Sequence, residues 1–226
     1  MKVYSQGDQA IVVSLRGQVT PKATQRLLVL RHYLNEQNYP FITEIVPTET
    51  DMLISYDARM MMKQLDITSP FLYMKQLIAE IDLSEEKWKK QRRCVKVPMY
   101  YGGTHGPHLD GILEELNMTK EMFIARHTSG DYFVSMMGYS PGFPYLSGLD
   151  EAIIVNHTAP EKRFIPAGSV ILENNKCGIT TTDTYEDWLV IGWTPLKLFD
   201  PMKKDFALIS LGDHVKFDAL QEGREA

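Results

Sequence analysis

The sequence predicts a two-part chain: a small α+β domain over residues 1–88, then a mainly β domain over residues 89–226. Three observations carry this reading. Up to Ile81, helical periodicities alternate with pairs of short apolar runs. Residues 82–93 then read Asp-Leu-Ser-Glu-Glu-Lys-Trp-Lys-Lys-Gln-Arg-Arg, a charge-dominated break. From Asp131 onward the chain is short strands and turns separated by Gly and Pro, the grammar of a closed β-barrel or a sandwich.

Residues 2–15 read as two strands split by Gln6-Gly7-Asp8. Thr20-Pro21 starts a helix, with Thr as N-cap and Pro at the first helical position. Tyr39-Pro40 stops it. Strands follow over Ile42 to Val46 and Asp51 to Tyr56, and a second helix over Pro70 to Ile81. The order β-β-α-β-β-α is a sheet with helices on one side. The switch from Asp/Glu to Lys/Arg across 82–93 places the boundary there, as a helix end or a solvated linker. Beyond it, Cys94 to Tyr100 alternates like a strand. His108 to Asn117 and Thr119 to His127 make short helices, the second capped by Thr119. Tyr132 to Met137, Ser169 to Leu172, Trp188 to Ile191 and His214 to Phe217 read as strands.

Composition narrows the class. Hydrophobic residues at 44% and charged residues at 23% are those of an ordinary globular protein. A net charge of -5 offers no footprint for nucleic acid. The two cysteines, Cys94 and Cys177, form neither a disulfide framework nor a zinc pattern. His105 and His108 flank Gly106-Pro107, which breaks any helix, so no metal site is expected. The first residues lack the apolar run of a signal peptide, and no run is long enough for a membrane span. A cytoplasmic location is expected.

Gly138 to Leu149 is the most distinctive segment. Its twelve residues hold two prolines, three glycines and three aromatics. Gly and Pro argue against a buried helix or strand, while Tyr139, Phe143 and Tyr145 argue against a flexible linker. It reads as an ordered loop, structural or lining a cleft. Arg163 precedes a Pro166-Ala-Gly-Ser169 turn, where a guanidinium and a nest of backbone N–H groups suit an anion. His127 ends an amphipathic helix, either complementing the dipole or aimed into a cleft. Ser169 lacks a nucleophile elbow, and Asp213 reads as a turn residue. No Gly-x-x-x-x-Gly-Lys-Ser/Thr loop exists, so ATP handling requires a partner or an unusual site.

Gly138-Tyr-Ser-Pro-Gly-Phe-Pro-Tyr-Leu-Ser-Gly-Leu149 resembles the signature of the family of 5-oxoprolinase B subunits, also called allophanate hydrolase subunit 1. That family includes the kinase A inhibitor. Val97-Pro98 with Tyr101-Gly102, Gly106-Pro107, His127 with Tyr132, Arg163-Phe-Ile-Pro-Ala-Gly-Ser-Val170, Ile191-Gly-Trp-Thr-Pro195, Leu198-Phe-Asp200 and Gly212-Asp-His-Val215 agree in order. Glu44-Ile-Val-Pro47 and Ile54-Ser-Tyr-Asp57 extend the match to the first domain. The resemblance implies a cyclophilin-like barrel and ATP-dependent ring opening of 5-oxoproline to glutamate. It implies a chain that is inactive without the C and A subunits of 5-oxoprolinase, with ATP and Mg acting through the complex. It also implies that His127 moves protons and Arg163 holds anionic oxygens. Tyr139, Pro141, Gly142, Phe143, Tyr145, Pro166, Gly168, Ser169 and Thr194 then frame the substrate. The alternative it carries is a non-enzymatic regulator that binds and inhibits a sensor histidine kinase.

The sequence departs from that pattern in three places. His108 stands where the family has an acidic residue, and Asn156 to Lys162 lacks arginine. Thr184-Tyr-Glu-Asp-Trp188 replaces a Pro-Gly-Gly-Trp turn. Glu186 and Asp187 there bring negative charge toward the expected anion site, which favours the regulator.

Residues 82–96 carry few apolar anchors, so limited proteolysis is expected to cut there first. A first cut within 100–215, read by mass spectrometry, contradicts the boundary.

Overall fold

A computed structural model describes residues 1–17, 19–83 and 93–221. The chain divides into two units, Met1–Gln91 and Arg92–Ala226. The junction expected between residues 88 and 89 lies outside the described residues.

In the first unit, β1 (Lys2–Ser5), β2 (Ala10–Ser14), β3 (Ile42–Pro47) and β4 (Asp51–Tyr56) form one antiparallel sheet in the order β1-β2-β4-β3. Alternation selects its buried face: Ile11 and Val13 from β2, Met52, Ile54 and Tyr56 from β4. Against them pack Leu27, Leu30 and Leu34 of α1 (Pro21–Gln37). The Thr20 hydroxyl accepts from the Ala23 N–H, as the cap signal requires. One helix was not expected. Asp57 caps α2 (Ala58–Leu65) through the Met60 N–H. Met61 of this helix is fully buried and Ala58, Met60 and Leu65 pack partly buried beside it, but an apolar face only eight residues long does not stand out from sequence. Ser69 caps α3 (Pro70–Glu80), whose Met74 and Ile78 complete the core.

The second unit contains β5 (Cys94–Tyr101), α4 (Leu109–Glu115), α5 (Lys120–Ser129), β6 (Tyr132–Met137), β7 (Pro144–Ser147), β8 (Arg163–Ile165), β9 (Ser169–Glu173), β10 (Lys176–Ile179), β11 (Thr184–Glu186), β12 (Leu189–Trp193) and β13 (His214–Ala219). Seven strands close a barrel in the order β10-β7-β6-β13-β5-β12-β9. β13 runs parallel to β5 and antiparallel to β6, which joins the start of the unit to its end. β8 and β11 pair as a separate two-stranded ribbon. The barrel expectation therefore holds over the sandwich. The expected loop over Gly138 to Leu149 is shorter than its composition suggests, because Pro144–Ser147 is a barrel strand. Pro144 is its first residue, a position where a missing N–H is tolerated.

His127 does not face a cleft. Phe123 and His127 lie four apart on α5 and point into the barrel core together. The imidazole is fully buried among Phe123, Tyr132 and Phe217. Its Nδ1 and the Tyr101 hydroxyl share a hydrogen bond at 2.7 Å, and Nε2 lies 3.7 Å from the Cys177 sulfur. Burial overwhelms any benefit from the helix C-terminus and holds its pKa down, from 6.5 to about 3. The same burial pushes the Cys177 thiol up.

This histidine contributes to the acid side of stability. Unfolded, it takes up a proton near pH 6.5; folded, it does so only near pH 3. Stability is therefore lost as pH falls through that window, by at most ~1.4 kcal/mol per pH unit. In urea melts at pH 4 to 7, His127→Gln is expected to be less stable at pH 7 but to show a shallower acid slope. Parallel slopes would contradict a neutral buried imidazole.

Candidate functional site

A bulge in β12 creates the site. Val190 pairs with Ile171 of β9, and the next pair is Gly192 with Val170, so Ile191 is an extra residue. On the other side, β12 pairs with β5 only at Gly192–Tyr101 and Trp193–Tyr100. Beyond Tyr101 the chain turns away, and residues 102–108 take over. The Gly102 N–H donates to the Ile191 carbonyl. The His108 N–H donates to the Val190 carbonyl, and the Val190 N–H donates to His108 Nδ1 at 2.8 Å. His108 thus replaces a missing strand neighbour and spares Val190 a buried unpaired donor. Gly106 permits the approach: a Cβ there would sit 2.1 Å from the Ile191 oxygen.

The result is a cavity of about 430 Å³ lined by Thr104, His105, Pro107, Arg163, Phe164, Pro166, Ser169, Val190 and Trp193. Tyr100, His105 and Trp193 hold near-parallel rings, with centroids 5.2 Å apart for Tyr100–His105 and 5.4 Å for His105–Trp193. The Trp193 indole N–H donates to the Ala167 carbonyl. Gly168 makes that contact possible; its φ is +87°, and a Cβ would meet the Thr194 oxygen at 2.5 Å.

Arg163 supplies the charge. Its guanidinium is exposed and, among the described residues, has no carboxylate partner. Its Nη1 lies 3.1 Å from His108 Nε2. Partial burial and the Arg163 charge both hold the His108 pKa below its ordinary value.

The expected backbone nest is absent. The Ala167 N–H donates to the Asp183 carboxylate, the Gly168 N–H to the Thr180 carbonyl, and the Ser169 N–H to Thr180 Oγ1. Asp183 occupies the place an external anion would take. Ser169 is buried, and its hydroxyl donates to the Pro166 carbonyl.

The sequence-predicted residues separate into three groups. Arg163, Pro166 and Ser169 share the large cavity. Gly168 and Thr194 line a second cavity of about 180 Å³, which Trp193 also lines. Tyr139, Pro141, Gly142, Phe143 and Tyr145 line neither. Phe143 is fully buried with Ile165, Ile171, Trp188 and Val190, so it backs the cavity wall. Tyr139 sets its ring at a tilt on Phe143 and edge-to-face on Trp188, and Tyr145 packs on Phe143. The Pro141 carbonyl accepts from Thr181, which lines the second cavity. Gly142, at φ +79°, packs on Phe199. Sequence reasoning missed His108, Trp193 and Val190. The bulge that gathers them has no local sequence signal beyond Gly192.

The altered Thr184–Trp188 turn does not poison the site. Glu186 is held by the Lys162 ammonium at 2.6 Å and by the Tyr139 hydroxyl at 3.2 Å. The Asp187 carbonyl accepts from the Ala159 N–H.

Known proteins share this fold and, in part, this sequence. The family described as "Carboxyltransferase domain, subdomain C and D" matches residues 1–209. The chain belongs to this family. Within the carboxyltransferase subdomain C and D family, it is 33% identical over 220 residues to the 5-oxoprolinase B subunit of Bacillus subtilis, covering 96% of this chain and 91% of that one. The crystal structure of TTHA0988 matches with a TM-score of 0.79 at 22% identity, over 96% of this chain and 41% of that one. The urea amidolyase of Kluyveromyces lactis matches at 0.73 and 16% identity, over 97% of this chain and 15% of that one. The chain thus spans less than half of these two structural neighbours, which share its fold.

Phe143→Ala removes a fully buried ring from the wall cluster, and losses of this kind cost ~3–5 kcal/mol. A thermal melt is expected to fall by several degrees. An unchanged melting temperature would show that the ring is not packed.

Proposed function

We propose that the chain is the B subunit of an ATP-dependent 5-oxoprolinase, which opens 5-oxoproline to glutamate together with the A and C subunits. The observation that carries the reading is near full-length relatedness. The Bacillus subtilis protein, named as the B subunit of 5-oxoprolinase, is 33% identical across 96% of this chain and 91% of its own length.

The cavity agrees in character. It places one guanidinium beside flat apolar walls, a setting for a small cyclic carboxylate. In this reading Arg163 binds the anionic end of the substrate. Trp193, His105 and Phe164 wall the ring and exclude water. Val190 is set by His108 and backed by Phe143. His127 is sealed in the barrel core, so no proton transfer is assigned to it.

The chain's own residues fit a single carboxylate better than a triphosphate. The backbone N–H groups of the Pro-Ala-Gly-Ser turn are already bonded within the chain. Among the described residues, no group of three or more His, Cys, Asp or Glu side chains is placed to hold a metal ion. We therefore assign ATP and Mg to the assembled complex and derive no step through them. No helix among the described residues is long and apolar enough to cross a membrane, and we propose a cytoplasmic location. The histidine-kinase regulator drew its support from the Thr184–Trp188 turn, and the Lys162–Glu186 pair removes that support.

The test is reconstitution. The purified chain alone is expected to show no 5-oxoproline-dependent ATP hydrolysis, and addition of the A and C subunits is expected to restore it. Arg163→Ala should lower kcat/KM of the complex roughly 10- to 100-fold, the worth of a charge-assisted hydrogen bond. Its melt should stay within ~0.5 kcal/mol of the parent, because the side chain is exposed. Turnover by the chain alone, or an inert complex, would refute the reading.

A further inference from the structure

The contacts of His108 determine where its proton sits. A backbone N–H only donates, so the Val190 contact makes Nδ1 the lone-pair nitrogen. A neutral imidazole then carries its hydrogen on Nε2. That nitrogen lies 3.1 Å from Arg163 Nη1, and a guanidinium has no acceptor. Two donors therefore face each other, and neither satisfies the other. Both are satisfied at once by an acceptor that bonds the pair. Nitrogens 3.1 Å apart can both reach one oxygen at ~2.8 Å. A second proton on the ring would collide with the Val190 N–H, and the Arg163 charge opposes it as well.

We propose that His108 Nε2–H and the Arg163 guanidinium form a two-donor oxyanion site at the cavity wall. It takes the carboxylate of a small ring compound whose face lies along Trp193 and His105. The carboxylate class follows from the donors and the walls. The inference rests on the 5-oxoprolinase reading only for the identity of the ring. A single guanidinium with one neutral donor matches one carboxylate in charge and number. His108 is then a binding residue acting as a fixed neutral donor, not a base. His105, three residues earlier, plays a different part and lines the same cavity with its ring stacked on Trp193.

The test uses the full chain labelled with ¹⁵N at histidine. At pH 7 the spectrum of His108 is expected to show a bare Nδ1 and a protonated Nε2. Addition of 5-oxoproline or pyrrole-2-carboxylate should shift Nε2 and quench Trp193 fluorescence. The carboxamide of 5-oxoproline should bind at least about 10-fold more weakly. Arg163→Gln removes the charge. His108→Asn keeps an acceptor for the Val190 N–H but withdraws the far donor. Each should raise the Kd about 10-fold or more without lowering the melting temperature. An Nδ1–H tautomer, no carboxylate-induced shift, or an unchanged Kd in both variants overturns the site. Binding of pyrrole-2-carboxylate but not of 5-oxoproline upholds the site and sinks the 5-oxoprolinase reading. Turnover of 5-oxoproline by the reconstituted complex, with KM unchanged in both variants, sinks the site and leaves that reading standing.

Discussion

The extra residue in β12, Ile191, sets the geometry of everything around the cavity. Side chains of a regular strand alternate, so positions three apart face opposite sides. Val190 and Trp193 are three apart and line the same cavity. The bulge reverses the alternation between them and brings both to one side. It also ends the ladder with β5, which leaves the Val190 N–H and carbonyl in need of partners. His108 supplies both, one through its backbone and one through its ring. Polar satisfaction of a buried strand residue thus dictates the tautomer of a side chain at the cavity. Core packing supports the wall, because Val190 shares one buried cluster with Phe143 and Trp188.

His127 and His108 show how differently one residue type is used in this fold. His127 is held neutral by burial, with a tyrosine hydroxyl and a thiol as neighbours. Nothing from solvent reaches it, so its chemistry is structural and its charge matters only to acid stability. His108 is half-buried, and a backbone donor and an adjacent guanidinium keep it neutral. Its second nitrogen still meets the outside. Sequence reasoning favours the first, because a histidine closing an amphipathic helix looks poised. It passes over the second, because Gly106-Pro107 argues only against a metal site.

What was legible in the sequence was local. Thr20 and Thr119 each cap the helix that follows, since a cap needs only a hydroxyl and a donor three residues on. The strands of the barrel were legible from alternation and from Gly and Pro between them. What escaped depended on contacts far apart in sequence. β7 was hidden because Pro144 reads as a breaker, although the first position of a strand accepts it. The nest at Ala167 was filled by Asp183, sixteen residues away, and no local pattern announces that bond. The bulge depends on three strands and the 102–108 segment together. The cavity residues followed the same division: Arg163 stood out through its motif, while His108 and Trp193 acquired their roles only from tertiary register.

The ribbon of β8 and β11 explains why Arg163 is left charged and open. Its direct cross-strand partner is Glu186. Opposite charges in that relation ordinarily pair. Here Lys162, the preceding residue, takes one carboxylate oxygen, and the Tyr139 hydroxyl takes the other. An exposed pair of this kind adds little to stability. Its larger effect is on availability. With Glu186 held by Lys162 and Tyr139, Arg163 lies beside His108, which offers it a hydrogen and no lone pair. The acidic turn that looked like a defect therefore works in the opposite sense. It draws its counter-ion from Lys162 and leaves the guanidinium at the cavity without an anion of its own.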